Sequence, residues 1–183
     1  MTVLYGGAFD PPHLGHLAVA DAARKRFGVD RLVVLVSERP GHRAVNASAD
    51  DRLALARAAF PQDDVRLDPY PRTVELLRAE RFDDPVFVVG ADQFRDFLGW
   101  SDPDEVLART RIAVATRPGF PLDELEDVLA RLDDPDRVLF FEIEPNPAAS
   151  RDVRARVAAG EPLDGVVPQA VEELISERGL YRP

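Results

Sequence analysis

Six short apolar runs recur along the chain, and each is followed by a stretch of helical periodicity. No other feature limits the fold as much. The runs are Thr2–Tyr5, Leu32–Ser37, Val65–Leu67, Val86–Gly90, Ile112–Thr116 and Val138–Ile143. Their Val, Leu, Ile and Phe content, without strict polar alternation, suits strands buried on both faces. Helical patterns fall at about His13–Phe27, Asp50–Phe60, Thr73–Arg81, Asp92–Leu98, Asp104–Ala108 and Leu122–Leu132. Two more close the chain at Ser150–Ala159 and Pro168–Arg178. In the last, Pro168 opens the helix, Glu172 and Glu173 favour its start, and Gly179 ends it. The order predicts an α/β fold, a Rossmann-like doubly wound parallel sheet covered by helices.

At 183 residues the chain is expected to form a single domain, given about 100–200 residues per domain. No internal repeat or low-complexity linker divides it. Thirty-three acidic against 23 basic residues give a net charge of −10, which argues against nucleic acid as a partner. The absence of cysteine excludes a disulfide scaffold, a thiolate metal site and a cysteine nucleophile. No apolar run approaches the roughly 18 residues of a membrane span, and the N-terminus lacks a signal-peptide layout. The expected setting is the cytoplasm, away from membranes. Lys25 is the one lysine, so a cation in a site is expected to be Arg, which suits bidentate phosphate contacts.

In an open α/β sheet ligands bind outside the carboxyl ends of the strands. The first such turn is the most informative: Gly6-Gly7-Ala8-Phe9-Asp10-Pro11-Pro12-His13-Leu14-Gly15-His16. Two glycines allow close backbone approach, and the helix behind them offers unpaired N–H groups and a positive dipole end. His13 and His16, three apart, share one face of the first turn, with Gly15 leaving room beside them. The stretch is neither a Walker loop nor a dinucleotide fingerprint. A zinc site of His13, His16 and His42 remains a formal alternative, although the Glu of a zinc-protease helix is missing.

Gly6–His16 resembles the His-x-Gly-His signature of the nucleotidyltransferase superfamily, whose core resembles that of the adenine-nucleotide α-hydrolases and class I aminoacyl synthetases. Later segments resemble bacterial nicotinate-mononucleotide adenylyltransferases. They are Pro40-Gly41-His42-Arg43, with Arg in place of the family's Lys, Val89-Gly90-Ala91-Asp92, Trp100, Thr116-Arg117-Pro118-Gly119, and the closing Val167-Pro168-Gln169-Ala170-Val171 to Tyr181. Together they span nearly the whole chain.

The resemblance implies transfer of AMP from ATP, with Mg2+, onto nicotinate mononucleotide. It implies catalytic roles for His16, His13 and Arg154. ATP and its phosphates would be bound by Gly6, Gly7, Ala8, Phe9, Gly15, Gly90, Asp92, Ser150 and Arg151. The acceptor would be bound by Asp10, His42, Arg43, Thr73, Trp100 and Arg117. The helices over about 150–181 are expected to complete the ATP site.

Two segments depart from the family. Its Ser-Ser-Thr-x-Ile-Arg helix start reads Ala149-Ser150-Arg151-Asp152-Val153-Arg154 here, and its Tyr-Thr-x-Asp-Thr-Leu reads Arg72-Thr73-Val74-Glu75-Leu76-Leu77. The alternatives are a same-fold adenylyltransferase using nicotinamide mononucleotide or phosphopantetheine, and a non-catalytic nucleotide-binding protein. The partners expected are small molecules, and a homo-oligomer stays open.

Overall fold

The computed structural model describes residues 1–41 and 44–183. Six parallel strands form one sheet in the order β3-β2-β1-β4-β5-β6. They are β1 (Thr2–Gly7), β2 (Val33–Ser37), β3 (Asp64–Asp68), β4 (Pro85–Gly90), β5 (Arg111–Thr116) and β6 (Val138–Glu142). Each coincides with an apolar run, to within one or two residues at most ends.

Side-chain direction alternates along a strand, so each strand feeds two cores. Val3, Tyr5, Val34, Val36, Val86 and Val88 face one side. There they pack on α1 (Leu14–Phe27), α2 (Ala49–Ala59), α7 (Ser150–Ala159) and α8 (Gln169–Arg178). Leu4, Leu35, Phe87, Val89, Ile112 and Val114 face the other side. That face is covered by α3 (Thr73–Ala79), α4 (Ala91–Arg95), α5 (Pro103–Arg109) and α6 (Glu126–Leu129). Burial on both sides is why the strands read as continuous apolar runs.

Two expected helices are broken. The stretch expected at Asp92–Leu98 divides into α4 and a 3-10 turn over Phe97–Gly99. Phe94 and Phe97 are both fully buried, with rings stacked 5.6 Å apart. A three-residue period eclipses i and i+3 and so keeps both on the core side. The stretch expected at Leu122–Leu132 opens as a 3-10 turn over Leu122–Leu125 and holds α form only through α6. A further 3-10 turn at Pro135–Arg137, unforeseen from the sequence, leads into β6. Pro168 caps α8 instead of opening it: its carbonyl accepts from the N–H of Val171 and of Glu172.

The chain runs β1, β2, β3 toward one edge and then returns to place β4 beside β1. The carboxyl ends of β1 and β4 therefore flank the point where strand order reverses, where such sheets bind ligands.

Candidate active site

β1 ends at Gly7, and the chain turns through Ala8–Pro12 into α1. Two aromatic rings dictate the glycines. A Cβ on Gly6 would lie 2.9 Å from Cζ of Phe87, and one on Gly7 would lie 2.9 Å from Cζ of Phe9. Phe9 is itself in the left-handed region, φ 49°. Its ring is locked edge-on between Tyr5 and Phe60, each with its centroid 5.6 Å away. The Asp10–Pro11 peptide is cis.

The two histidines meet where α1 begins. Their ring centroids are 3.8 Å apart, and the N–H of His13 donates to Nδ1 of His16 at 3.2 Å. His13 is buried and its Nδ1 has no hydrogen-bond partner. Burial pushes the His13 imidazole down to about 4, although the nearby Asp152 carboxylate pulls the other way. Its ring is therefore neutral near pH 7. Gly15 is close beside it: a Cβ there would lie 2.9 Å from Nδ1 of His13 and 3.2 Å from the Ala148 carbonyl oxygen.

Ala148 lies just before α7, so the N-termini of α1 and α7 converge on the turn. Both ends carry partial positive charge. α7 is fastened there by two long-range bonds. The Ser150 hydroxyl donates to the Pro11 carbonyl at 2.8 Å, and Nη1 of Arg154 donates to the Asp10 carbonyl at 2.6 Å. Ser150, expected at the ATP phosphates, and Arg154, expected to be catalytic, are thus bonded to the turn. Arg151 points to solvent, 85 % exposed, with Nε 3.4 Å from the Asp152 carboxylate.

Asp10, expected at the acceptor, is turned inward and only 4 % exposed. Its carboxylate accepts from the N–H groups of Asn46 (2.7 Å) and Ala47 (3.1 Å) and from the Tyr181 hydroxyl (2.8 Å). Burial, together with the Asp10 charge, raises the Tyr181 hydroxyl above the ordinary tyrosine range, so it stays a donor.

The other described candidates follow the carboxyl ends of β3, β4 and β5. Gly90 ends β4 and caps α4, its N–H donating to Oε1 of Gln93 at 3.3 Å. Asp92 sits in the first turn of α4 with an outward side chain, 3.8 Å from Nη1 of Arg95. Trp100 is half-buried against Phe97 (centroids 5.2 Å) and edge-on to Phe87 (6.4 Å). Phe87 in turn lies under Gly6, so aromatic contacts join Trp100 to the glycine turn. Thr73 opens α3, and Arg117 is exposed after β5. No hydrogen bond or ring contact ties Thr73, Asp92 or Arg117 to the histidines among the described residues. His42 and Arg43 lie outside the described residues.

Arg52 and Phe87 were not among the residues expected at the site, and Tyr181 was expected only as part of the closing segment. For Arg52 a signal existed. It falls at i, i+3, i+4, i+7 with Leu55, Ala56 and Ala59, the buried stripe of α2.

Paired imidazoles on a glycine turn, where two helix N-termini converge, are an arrangement suited to a phosphate-bearing ligand. A family model described as cytidylyltransferase-like matches residues 4–180. The chain is 35% identical to a Rubrobacter xylanophilus protein named “probable nicotinate-nucleotide adenylyltransferase”, over 98% of this chain and 91% of that one. A Thermus thermophilus protein of the same name is 34% identical, with 98% of each chain covered. In fold, the chain matches the Plasmodium falciparum nicotinic acid mononucleotide adenylyltransferase solved with NaAD at a TM-score of 0.76, with 15% identity and coverage of 98% and 96%. The chain belongs to the cytidylyltransferase-like family and, within it, to the nicotinate-nucleotide adenylyltransferases. Among the described residues no helix is long and apolar enough to cross a membrane.

Proposed function

We propose that this chain is a cytoplasmic enzyme that transfers AMP from ATP to nicotinate mononucleotide, giving deamido-NAD and pyrophosphate. The observation that carries the reading is the convergence of α1 and α7 on the glycine turn that bears His13 and His16. A phosphate oxygen of the mononucleotide forms a bond to the α-phosphorus of ATP. The bond from that phosphorus to the oxygen bridging to the β-phosphorus breaks, and pyrophosphate leaves with the electron pair. The nucleophile is already anionic, so the reaction needs no general base, and catalysis rests on positioning and charge stabilisation.

In this reading His16, with His13 beside it, donates to the phosphates as charge builds toward pyrophosphate. The N–H groups of Gly7–Phe9 bind phosphate, and Arg154 and the start of α7, with α8 behind it, complete the ATP side. Trp100 stacks on the pyridine ring. Mg2+ enters as part of the substrate, on the ATP phosphates.

The test is pyrophosphate release with ATP and Mg2+, offering nicotinate mononucleotide, nicotinamide mononucleotide and phosphopantetheine in parallel. Release with nicotinate mononucleotide alone is expected. Release only with another acceptor, or silence with all three despite ATP binding, overturns the proposal.

A further inference from the structure

Arg52 is 1 % exposed, yet its side chain is fully charged in chemistry and forked in shape. Four hydrogen bonds leave it, and all end on backbone carbonyls. Nη1 donates to Ser37 at 2.6 Å and Ala8 at 3.0 Å, Nη2 to Glu38 at 3.0 Å, and Nε to Ala47 at 3.3 Å. One guanidinium thus ties together the β1–α1 turn, the end of β2 and the segment leading into α2. Asp10 closes the same knot from the other side, through its bonds to the N–H groups of Asn46 and Ala47.

The bond to Ala8 has a consequence for the neighbouring peptide group. A trans peptide is planar, with its C=O and N–H pointing in opposite directions. With the Ala8 carbonyl drawn inward onto Arg52, the Phe9 N–H must point the opposite way, out of the knot. It makes no hydrogen bond among the described residues. Buried backbone N–H groups are rarely left without a partner, and one that no protein group occupies is open to water or to a ligand. The left-handed φ of Phe9 keeps the peptide in that orientation, which an aromatic residue seldom adopts unaided.

We infer that Arg52 is a positioning residue for the phosphate site: by gripping the Ala8 carbonyl from within the core, it aims the Phe9 N–H at the bound phosphate. Arg52 touches no substrate itself. The inference rests on the proposed adenylyl transfer for its setting, but the orientation of Phe9 can be tested without any acceptor. Lysine cannot replace it, because an ammonium has three donors at one point and cannot span four carbonyls on three segments.

The experiment is a pair of variants, Arg52→Lys and Arg52→Met, read in two ways. The first is the amide NMR signal of Phe9 during titration with inorganic pyrophosphate. In the parent protein this signal is expected to shift strongly, and in both variants the shift is lost or much reduced. The second is steady-state kinetics. Loss of one preorganised donor lowers kcat/KM for ATP by about 10²-fold, while KM for nicotinate mononucleotide stays within about twofold. Should Arg52→Met fail to fold, Arg52→Lys, which keeps stem and charge, carries both readings. A parent Phe9 amide that ignores pyrophosphate, or folded variants whose Phe9 amide responds as the parent does, overturns the inference. Activity of the parent protein is scored separately, so a wrong acceptor and a wrong role for Arg52 give different results.

Discussion

The backbone N–H of His13 donates to Nδ1 of His16 at 3.2 Å, and this bond decides which nitrogen of His16 carries its proton. With Nδ1 accepting, the neutral ring is the Nε2–H tautomer, so the donor is at the outer end of the side chain. Replacing His16 by Ala is expected to lower kcat by about 10²–10³-fold, the scale of losing one transition-state donor. His16→Asn should do no better, because its amide nitrogen reaches only the Nδ1 position. His16→Gln, whose amide nitrogen reaches near Nε2, should retain clearly more. Rates of pyrophosphate release test this. A loss below about fivefold in His16→Ala removes His16 from the chemistry.

Gly15 is glycine for lack of room, since its φ is not positive. A methyl group there meets Nδ1 of His13 at 2.9 Å and the Ala148 carbonyl at 3.2 Å. The imidazole can swing aside; the backbone carbonyl gives much less. Gly15→Ala should therefore displace His13 and loosen the junction of α1 with α7. In a helix interior the same change favours folding by about 1 kcal/mol, which offsets part of the clash. The expected result is a melting temperature close to the parent's with kcat/KM for ATP down about tenfold or more. A variant with unchanged kinetics shows that the His13 ring does not need its present place.

The sheet was legible because burial on both faces writes each strand as an apolar run. Val86–Gly90 and Ile112–Thr116 needed no tertiary information. The turn from Gly6 to His16 was legible because its residue types sit at fixed spacing along one local segment. What escaped depends on contacts distant in sequence. Gly6 reads as a backbone opening for ligand, whereas the ring of Phe87 requires it from beneath. Asp10 reads as a polar group facing the cleft, yet its oxygens are spent on Asn46, Ala47 and Tyr181. Arg52 carries no site signal until the stripe it shares with Leu55, Ala56 and Ala59 is drawn.

Trp100 is held by other aromatic rings, with Phe97 at 5.2 Å and Phe87 at 6.4 Å between centroids. A ring fixed on one side and half-exposed is suited to stacking on a planar ligand. Such stacking contributes about 1–3 kcal/mol per base. Trp100→Ala should raise KM for nicotinate mononucleotide roughly tenfold or more, with KM for ATP changed less than about twofold, and Trp100→Phe should fall between. Equal effects on both substrates argue against the stacking role.

His13 links the site to pH. Its imidazole is pushed down from 6.5 to about 4, chiefly by burial. Between those values the unfolded chain binds a proton that the folded chain refuses, so this residue makes stability rise with pH across the window. The contribution is present in full above about pH 6.5 and is lost as pH falls through 4, with a slope of at most about 1.4 kcal/mol per unit. A bound triphosphate favours the imidazolium and moves the His13 equilibrium back up. Binding of a non-hydrolysable ATP analogue with Mg2+ at about pH 5.5 should then take up a proton at His13. Calorimetry in two buffers of different ionisation enthalpy measures that uptake. The parent should absorb up to one more proton than His13→Asn, and the variant's stability should fall less steeply on acidification. Equal uptake in both proteins shows that His13 does not face the phosphates, whatever the rate of the reaction.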